Sequence, residues 1–392
     1  MANLFTFKKT DRNNTFVSVV FLLSVYFLFV NTLFVYKYGI RQDFVPIVAV
    51  IAIYLLCACA ALFFDFGKIK YVKVVYCAIT ILAILLMMFV VCKTDKYALA
   101  VDRWSAIDTG IRALLQGDYP YTITTHLNNQ SSNFPGLFLI GLPFYLLGNV
   151  GFLQVFLFAL LAFCLYHCFE THKALKFIVL LLLSPAFWWE VTVLSDLMSN
   201  ITLVLVFILL MEKYLSTNKF KYPVPLGIIL AVLLLTRGVV FIPIALYLAK
   251  DFYRLLWINK GKTAISFTIT AVVLIASVLW NCPDIETLKS HNPLLSQTSH
   301  VPSFVYLIFF FSPLLLTFGI KNVCFDLFYY TVALMAIPAL YTLISASITF
   351  GFYKTLVTSI MDISYLSMCF PFLIIPLSFF RSRLSEFTIR KC

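Results

Sequence analysis

Charge is the scarcest property of this chain. Asp, Glu, Lys and Arg make up 12% of its 392 residues, where a soluble domain carries about a quarter. Hydrophobic residues reach 62%. A water-soluble globular fold is excluded, and no polar tract is long enough for a separate soluble domain. Residues 1–392 therefore read as a single integral-membrane domain. Also missing are a Gly-rich phosphate loop, a His/Glu metal box, an internal repeat and a low-complexity tract, so neither a cofactor nor a metal is expected. The ten cysteines lack metal-ligand spacing. Most of them, Cys57, Cys59, Cys77, Cys164, Cys324 and Cys369, sit in or at the ends of apolar runs, where Cys behaves as a small hydrophobe. Cys92 and Cys282 are the one pair expected to meet, in a disulfide on the outer side. The first apolar run, Thr15 to Val35, has no small-residue cleavage site and reads as a retained helix.

What the chain does have is a succession of apolar runs. They read as membrane segments at 15–36, 44–64, 71–92, 150–168, 174–191, 196–212, 224–236, 238–249, 263–281, 303–319, 326–349 and 363–380. The fold class is all-α, a polytopic transmembrane helical protein of about 11–12 membrane segments with an interfacial helical outer loop. Two half-length pieces meet at Thr236-Arg237-Gly238. Read as a short hairpin, they bring Arg237 to the outer side. Read as one tilted helix over 224–249, they leave it in mid-membrane at a cost of about 3 kcal/mol.

The few charges are unevenly placed. With the amino terminus cytoplasmic and 135–148 not spanning, 20 of the 29 basic residues fall on inner connections and nine on outer ones. That asymmetry is the positive-inside pattern, and it accounts for the formal charge of +12 without a nucleic-acid partner. Both termini are then cytoplasmic, and the expected setting is a bacterial inner (plasma) membrane.

Val101 to Gly148 is the longest run too polar for lipid, within an outer loop spanning 93–148. Trp104, Ile107, Ile111, Leu114 and Leu115 fall at i, i+3, i+7, i+10 and i+11, an apolar helical stripe. Asp102, Ser105, Thr109 and Arg112 line the polar side. Asp108 stands four residues before Arg112, the spacing of a surface ion pair. Gly117 stops the helix, and Asp118-Tyr119-Pro120-Tyr121 turns the chain. Such a helix is expected on the membrane surface with its apolar face down. Pro135 to Gly148 then forms about 21 Å of helix, short for a hydrocarbon core of about 30 Å and so interfacial or re-entrant. His126, His291 and His300 lack metal spacing and read as surface residues.

The pattern Asp102-x14-Gly117-Asp118-x-Pro120-Tyr121, followed by Asn133-Phe134-Pro135-Gly136-Leu137, resembles the GT-C membrane glycosyltransferases. The likeness is to the branch that uses polyprenyl-phosphate-linked mannose or related sugars. Ser184-Pro185…Glu190…Ser195-Asp196 is similar to that family's second outer turn, Thr236-Arg237 to its hairpin arginine, and Tyr365…Pro371 to its last span. The chain departs from the family in having three spans before the acidic loop, Phe-Pro-Gly for Tyr-Pro-Pro, and a lone Asp102 in place of an Asp-Glu pair.

The resemblance implies inverting transfer of a mannose-like hexose from a polyprenyl-phosphate donor to a glycan, glycolipid or protein acceptor at the outer membrane face. No metal and no cofactor beyond the lipid-phosphate sugar is implied. Asp102 is the expected general base, since a carboxylate can deprotonate an acceptor hydroxyl. Arg237 is expected to bind the donor phosphate, where negative charge grows. Asp118, Tyr121, Glu190 and Asp196 would shape the acceptor pocket. The plainer alternatives are a helix-capping Asp102 or Asp196, a turn-forming Asp118 and an Arg237 that snorkels to the interface. Two rival functions fit the composition, a lipid-linked polysaccharide polymerase and a transporter or lipid flippase.

Overall fold

A computed structural model shows an all-helical chain, 78% helix, with no strand among the described residues. The structure describes residues 9–42, 46–294, 303–358, 360–380 and 389. His300 lies outside them, as do Lys8, Arg381, Arg383, Arg390 and Lys391, five of the 20 basic residues assigned to inner connections. In chain order come α1 (Lys9–Arg41), α2 (Ile47–Phe63), α3 (Val72–Lys93), α4 (Arg103–Gln116), α5 (Pro135–Leu146) and α6 (Phe152–Cys168). Next are α7 (Thr171–Leu182), α8 (Pro185–Thr192), α9 (Leu197–Leu215), α10 (Pro223–Leu234), α11 (Phe241–Arg254) and α12 (Trp257–Leu279). They are followed by α13 (Ile285–Ser290), α14 (Ser303–Leu316), α15 (Phe328–Phe350), α16 (Phe352–Val357), α17 (Ser364–Ser367) and α18 (Phe370–Ser378).

Every apolar run carries a helix, but fewer cross a membrane alone than the run count suggests. Five segments are long and apolar enough: Thr15–Arg41, Val72–Lys93, Leu197–Leu215, Trp257–Leu279 and Phe325–Phe350. The pair α7 and α8, bent by 66°, makes a sixth if taken as one span. The chain is an integral membrane protein on this count. The remaining runs carry shorter helices: α2 and α6 stop at 17 residues, α11 at 14 and α10 at 12.

The chain divides into two compact units. One comprises Met1–Leu82, Ala162–Trp188 and Lys321–Cys392, the other Ala83–Leu161 and Trp189–Ile320. In the first, α18 is the core. It is apolar all round and buried all round, packed on α1, α7 and α15. Asn31 of α1 is wholly buried there. Its Oδ1 accepts from Ser184 Oγ at 2.7 Å and Ala186 N at 3.1 Å, serving the donors freed where α7 breaks.

The second unit holds the polar loop. Gly117 ends α4 as expected, at φ +81°, a left-handed conformation that suits glycine. The apolar stripe of α4 does not lie on lipid. Trp104, Ile107 and Ile111 are buried, and α4 packs on α5, with Gly110 against the Phe138 ring and Gly141 against Ile107 and Ile111. Two glycines let the helices approach so closely that protein, not membrane, covers the stripe. Leu115, expected in that stripe, faces outward. α5 also packs on α10, and α10 on α12, where Gly227 lies against α12 backbone.

The segment 224–249 is a hairpin. Before α10, Lys219 Nζ lies 2.9 Å from Asp251 Oδ2 and donates to Tyr247 O at 3.2 Å, both near the end of α11. One straight helix would hold those residues more than about 40 Å apart. The chain instead turns at Leu235–Arg237, with Arg237 in extended backbone at the tip.

Candidate functional site

Asp102 occupies the N-cap position of α4 but spends no side-chain oxygen on capping. Its Oδ2 accepts from Thr125 Oγ1 at 2.9 Å and from Asn129 Nδ2 at 2.8 Å. Among the described residues no hydrogen bond reaches its Oδ1. Both donors come from a short hairpin loop closed by a Thr124–Gln130 bridge and by Thr125 N donating to Asn129 O at 2.9 Å. Asn128 makes its turn at φ +62°, a conformation that Asn tolerates. His126, expected to be a plain surface residue, braces this loop. Its Nε2 is 2.8 Å from Leu99 O, its Nδ1 is 2.7 Å from Ser105 Oγ, and its ring lies 5.4 Å from that of Trp104.

Next to Asp102, Arg103 reaches a different element. Its Nη1 donates to Ser195 Oγ at 2.7 Å and lies 3.5 Å from Glu190 Oε1. Glu190 sits on α8 and Ser195 just before α9. Between them Leu194 is buried with φ +52°, an unfavourable conformation for a branched side chain, in a turn closed by Ser195 N donating to Glu190 O at 3.0 Å. This tight turn presents Glu190, Ser195 and Asp196 together.

Asp196 heads α9, yet its carboxylate serves Arg237 and not the helix. Arg237 Nε donates to Oδ2 and Nη2 to Oδ1, each at 2.8 Å, a bidentate pair. Asn200 Nδ2 donates to Oδ2 at 2.7 Å. The group is shut away from water: Asp196 is 3% exposed and Arg237 9%. Arg237 Nη2 also donates to Asn133 Oδ1 at 3.3 Å. Among the described residues, Arg237 Nη1 makes no hydrogen bond and the buried Asn133 Nδ2 has no partner. Asn133 is fixed in turn by Tyr121, whose hydroxyl donates to Asn133 O at 2.8 Å. Burial pushes the Tyr121 phenol up, so it stays a donor at any ordinary pH.

Five of the six expected residues thus lie in three hydrogen-bonded groups that follow one another through chain neighbours: Asp102 with Thr125 and Asn129, Arg103 with Glu190 and Ser195, and Asp196 with Arg237, Asn133 and Tyr121. Asp118 is the exception, exposed in the turn after α4. Glu190 and Asp196, expected to line a pocket, are buried as partners of arginines. Asp108 pairs with Arg112 at 2.7 Å, as the i+4 spacing implies. Cys92 and Cys282 are free thiols, so the expected disulfide is not formed. Among the described residues no group of three or more His, Cys, Asp or Glu is placed to hold a metal ion. The sequence reading gives no site role to Arg103, Asn133 or His126. Position beside Asp102, and membership of the Asn133-Phe134-Pro135-Gly136 motif, are the signals that mark the first two.

Comparison with protein-family models, with curated proteins and with solved structures finds no match to the chain. Function has to be argued from these side chains.

Proposed function

We propose that the protein is a membrane glycosyltransferase of the GT-C type. It moves a mannose-like hexose from a polyprenyl-phosphate donor to an acceptor hydroxyl at the outer membrane face, with inversion. One observation carries this reading. A carboxylate oxygen (Asp102 Oδ1) and two donors (Arg237 Nη1 and Asn133 Nδ2) stay unspent in neighbouring hydrogen-bonded groups whose other polar atoms are largely matched.

Each unspent atom then has a task. Asp102 Oδ1 takes the proton of the acceptor hydroxyl as that oxygen bonds to the sugar C1. The bond from C1 to the phosphate oxygen breaks, and its electron pair leaves with the phosphate. Arg237 Nη1 and Asn133 Nδ2 donate to that phosphate as its negative charge grows. Asp196 orients Arg237, Glu190 orients Arg103, and Tyr121 fixes Asn133. Asp118, in the exposed turn, is left to meet the acceptor.

The second reading is a carrier or flippase for an anionic lipid. What favours it is the buried Arg237–Asp196 pair at the break between two short helices, since discontinuous helices often frame transport sites. The deciding experiment supplies purified full-length protein with synthetic radiolabelled polyprenyl-phosphate mannose and a membrane extract as acceptor. Label passing to an acceptor, with loss of transfer in Asp102→Asn, is expected. Transfer from a nucleotide sugar without a lipid intermediate would sink the proposal. Movement of intact labelled lipid across vesicles, with no sugar transfer, would favour the carrier.

A further inference from the structure

The last turn of α1 carries a lysine outside the proposed catalytic network. Lys37 stands one turn before Arg41, at the end of the candidate span Thr15–Arg41. A lysine at that level ordinarily snorkels, with its stem in the apolar layer and its ammonium among headgroups. Lys37 is instead 1% exposed. Among the described residues it makes no hydrogen bond and no ion pair, and its Nζ lies 5.6 Å from the centre of the Tyr38 ring. Asp362 and Arg41 act on it electrostatically in opposite senses. Both also serve other groups: Arg41 Nε donates to Val357 O at 2.8 Å, and Asp362 Oδ1 accepts from Ser364 N at 2.9 Å and Ser364 Oγ at 2.7 Å.

A second polar group is stranded in the same corner. Thr355 of α16 is fully buried and its Oγ1 has no partner among the described residues. Its carbonyl accepts from Met361 N at 3.3 Å, beside Asp362. An ammonium withdrawn from water without a matched counter-charge is costly, and native interiors pair such groups. We propose that the corner formed by the end of α1, α16 and the Met361–Ser364 turn binds a phosphate group, with Lys37 as its counter-charge. The ammonium offers three donors and a full positive charge, and the end of an apolar span lies at the depth of lipid phosphates. Two sources share this chemistry, a phosphate-bearing lipid headgroup and free phosphate.

The test uses the full-length protein in a non-ionic detergent, with dioleoyl phosphatidate, inorganic phosphate and dioleoylglycerol as separate probes. Native mass spectrometry should show one phosphate-bearing adduct on the wild type and none from dioleoylglycerol. Lys37→Gln should weaken that adduct about tenfold or more, the loss typical of a charge-assisted contact, while the exposed Lys354→Gln leaves it unchanged. Binding of phosphatidate alone identifies a headgroup site; binding of both phosphate probes identifies a site for the free anion. Lys37→Met should melt higher than wild type without phosphate, and should lose the rise in melting temperature that the phosphate probe gives the wild type. No adduct on folded wild type, an adduct unchanged in Lys37→Gln, or a Lys37→Met protein that melts lower or fails to fold would overturn the proposal. The last result would mean that Asp362 already balances the ammonium.

Discussion

Two acids on one stretch of chain, Asp102 and Asp108, are separated by what their oxygens already hold. Asp108 is buried and paired with Arg112, whereas Asp102 keeps Oδ1 unbonded among the described residues. In Asp102→Asn the amide oxygen can still accept from Thr125 and Asn129, so expression and melting temperature should hold within about 1 kcal/mol of stability. Transfer should fall about 10²–10⁴-fold, the usual cost of a missing general base. Asp108→Asn should stay largely active, and an Asp102→Asn enzyme as fast as wild type would remove the proposed base. The Arg237–Asp196 pair makes a different prediction, read by thermal melting. Arg237→Met strands a buried carboxylate and should cost about 3–5 kcal/mol, while Arg237→Met with Asp196→Leu should recover most of it. A double variant no more stable than Arg237→Met would mean that the pair does not explain the loss. Tyr121→Phe removes one buried hydrogen bond to Asn133 O and should cost about 1 kcal/mol. Because burial pushes the Tyr121 phenol up, the wild-type hydroxyl stays protonated through neutral and mildly alkaline pH. Tyr121→Phe should therefore lower the rate of transfer without changing the shape of its pH profile.

Between elements, the start of α5 is locked to the end of α10. Gly136 N donates to Leu235 O at 2.8 Å, and a Cβ on Gly136 would collide with Val232 O and come within 2.7 Å of Leu235 O. Backbone oxygens cannot swing aside, so Gly136→Ala should destabilise the protein by about 1–3 kcal/mol. Since Asn133 and Arg237 flank this contact in sequence, transfer should fall with it. Gly117→Ala is the contrast. A Cβ there meets nothing within 4 Å, and only its left-handed backbone at φ +81° is unfavourable. It should cost about 1–2 kcal/mol and leave transfer nearly intact, as assayed at a temperature where both variants are folded. The Gly117 stop of α4 and the Asp108–Arg112 pair were legible in the sequence because each is written in local spacing. The contacts of Arg103 with Glu190 and Ser195, and of His126 with Leu99 and Ser105, were not. They join residues that helical periodicity does not relate. Nor does an apolar stripe reveal whether lipid or another helix will cover it; Gly110 and Gly141 decide that for α4, through a packing partner in a separate segment.

For the whole molecule, the placement of Lys219 against Asp251 turns a charge-counting argument into a geometric one. The connections around 213–221 and 250–262 must share one end of the α10–α11 hairpin, because Lys219 and Asp251 form an ion pair at 2.9 Å. Arg237, at the opposite end, is hydrogen-bonded to Asn133, which follows the loop that carries Asn128. The candidate span α9 runs between the two ends, from Asp196, which is paired with Arg237, to Leu215 in the 213–221 region. Whichever way the protein is inserted, Ser216 and Asn259 should therefore behave alike, and Asn128 unlike them. The excess of basic residues on the first pair of connections predicts, by the positive-inside rule, that this end faces the cytoplasm. In a background without other accessible thiols, an impermeant maleimide added to intact cells should label Asn128→Cys. It should reach Ser216→Cys and Asn259→Cys only after the membrane is permeabilised. Labelling of Ser216→Cys and Asn259→Cys from outside, with Asn128→Cys protected, would invert the orientation and move the proposed active site to the cytoplasmic face. Labelling of only one of the two would contradict the hairpin itself, because no insertion can place two ends of an ion-paired turn on opposite sides.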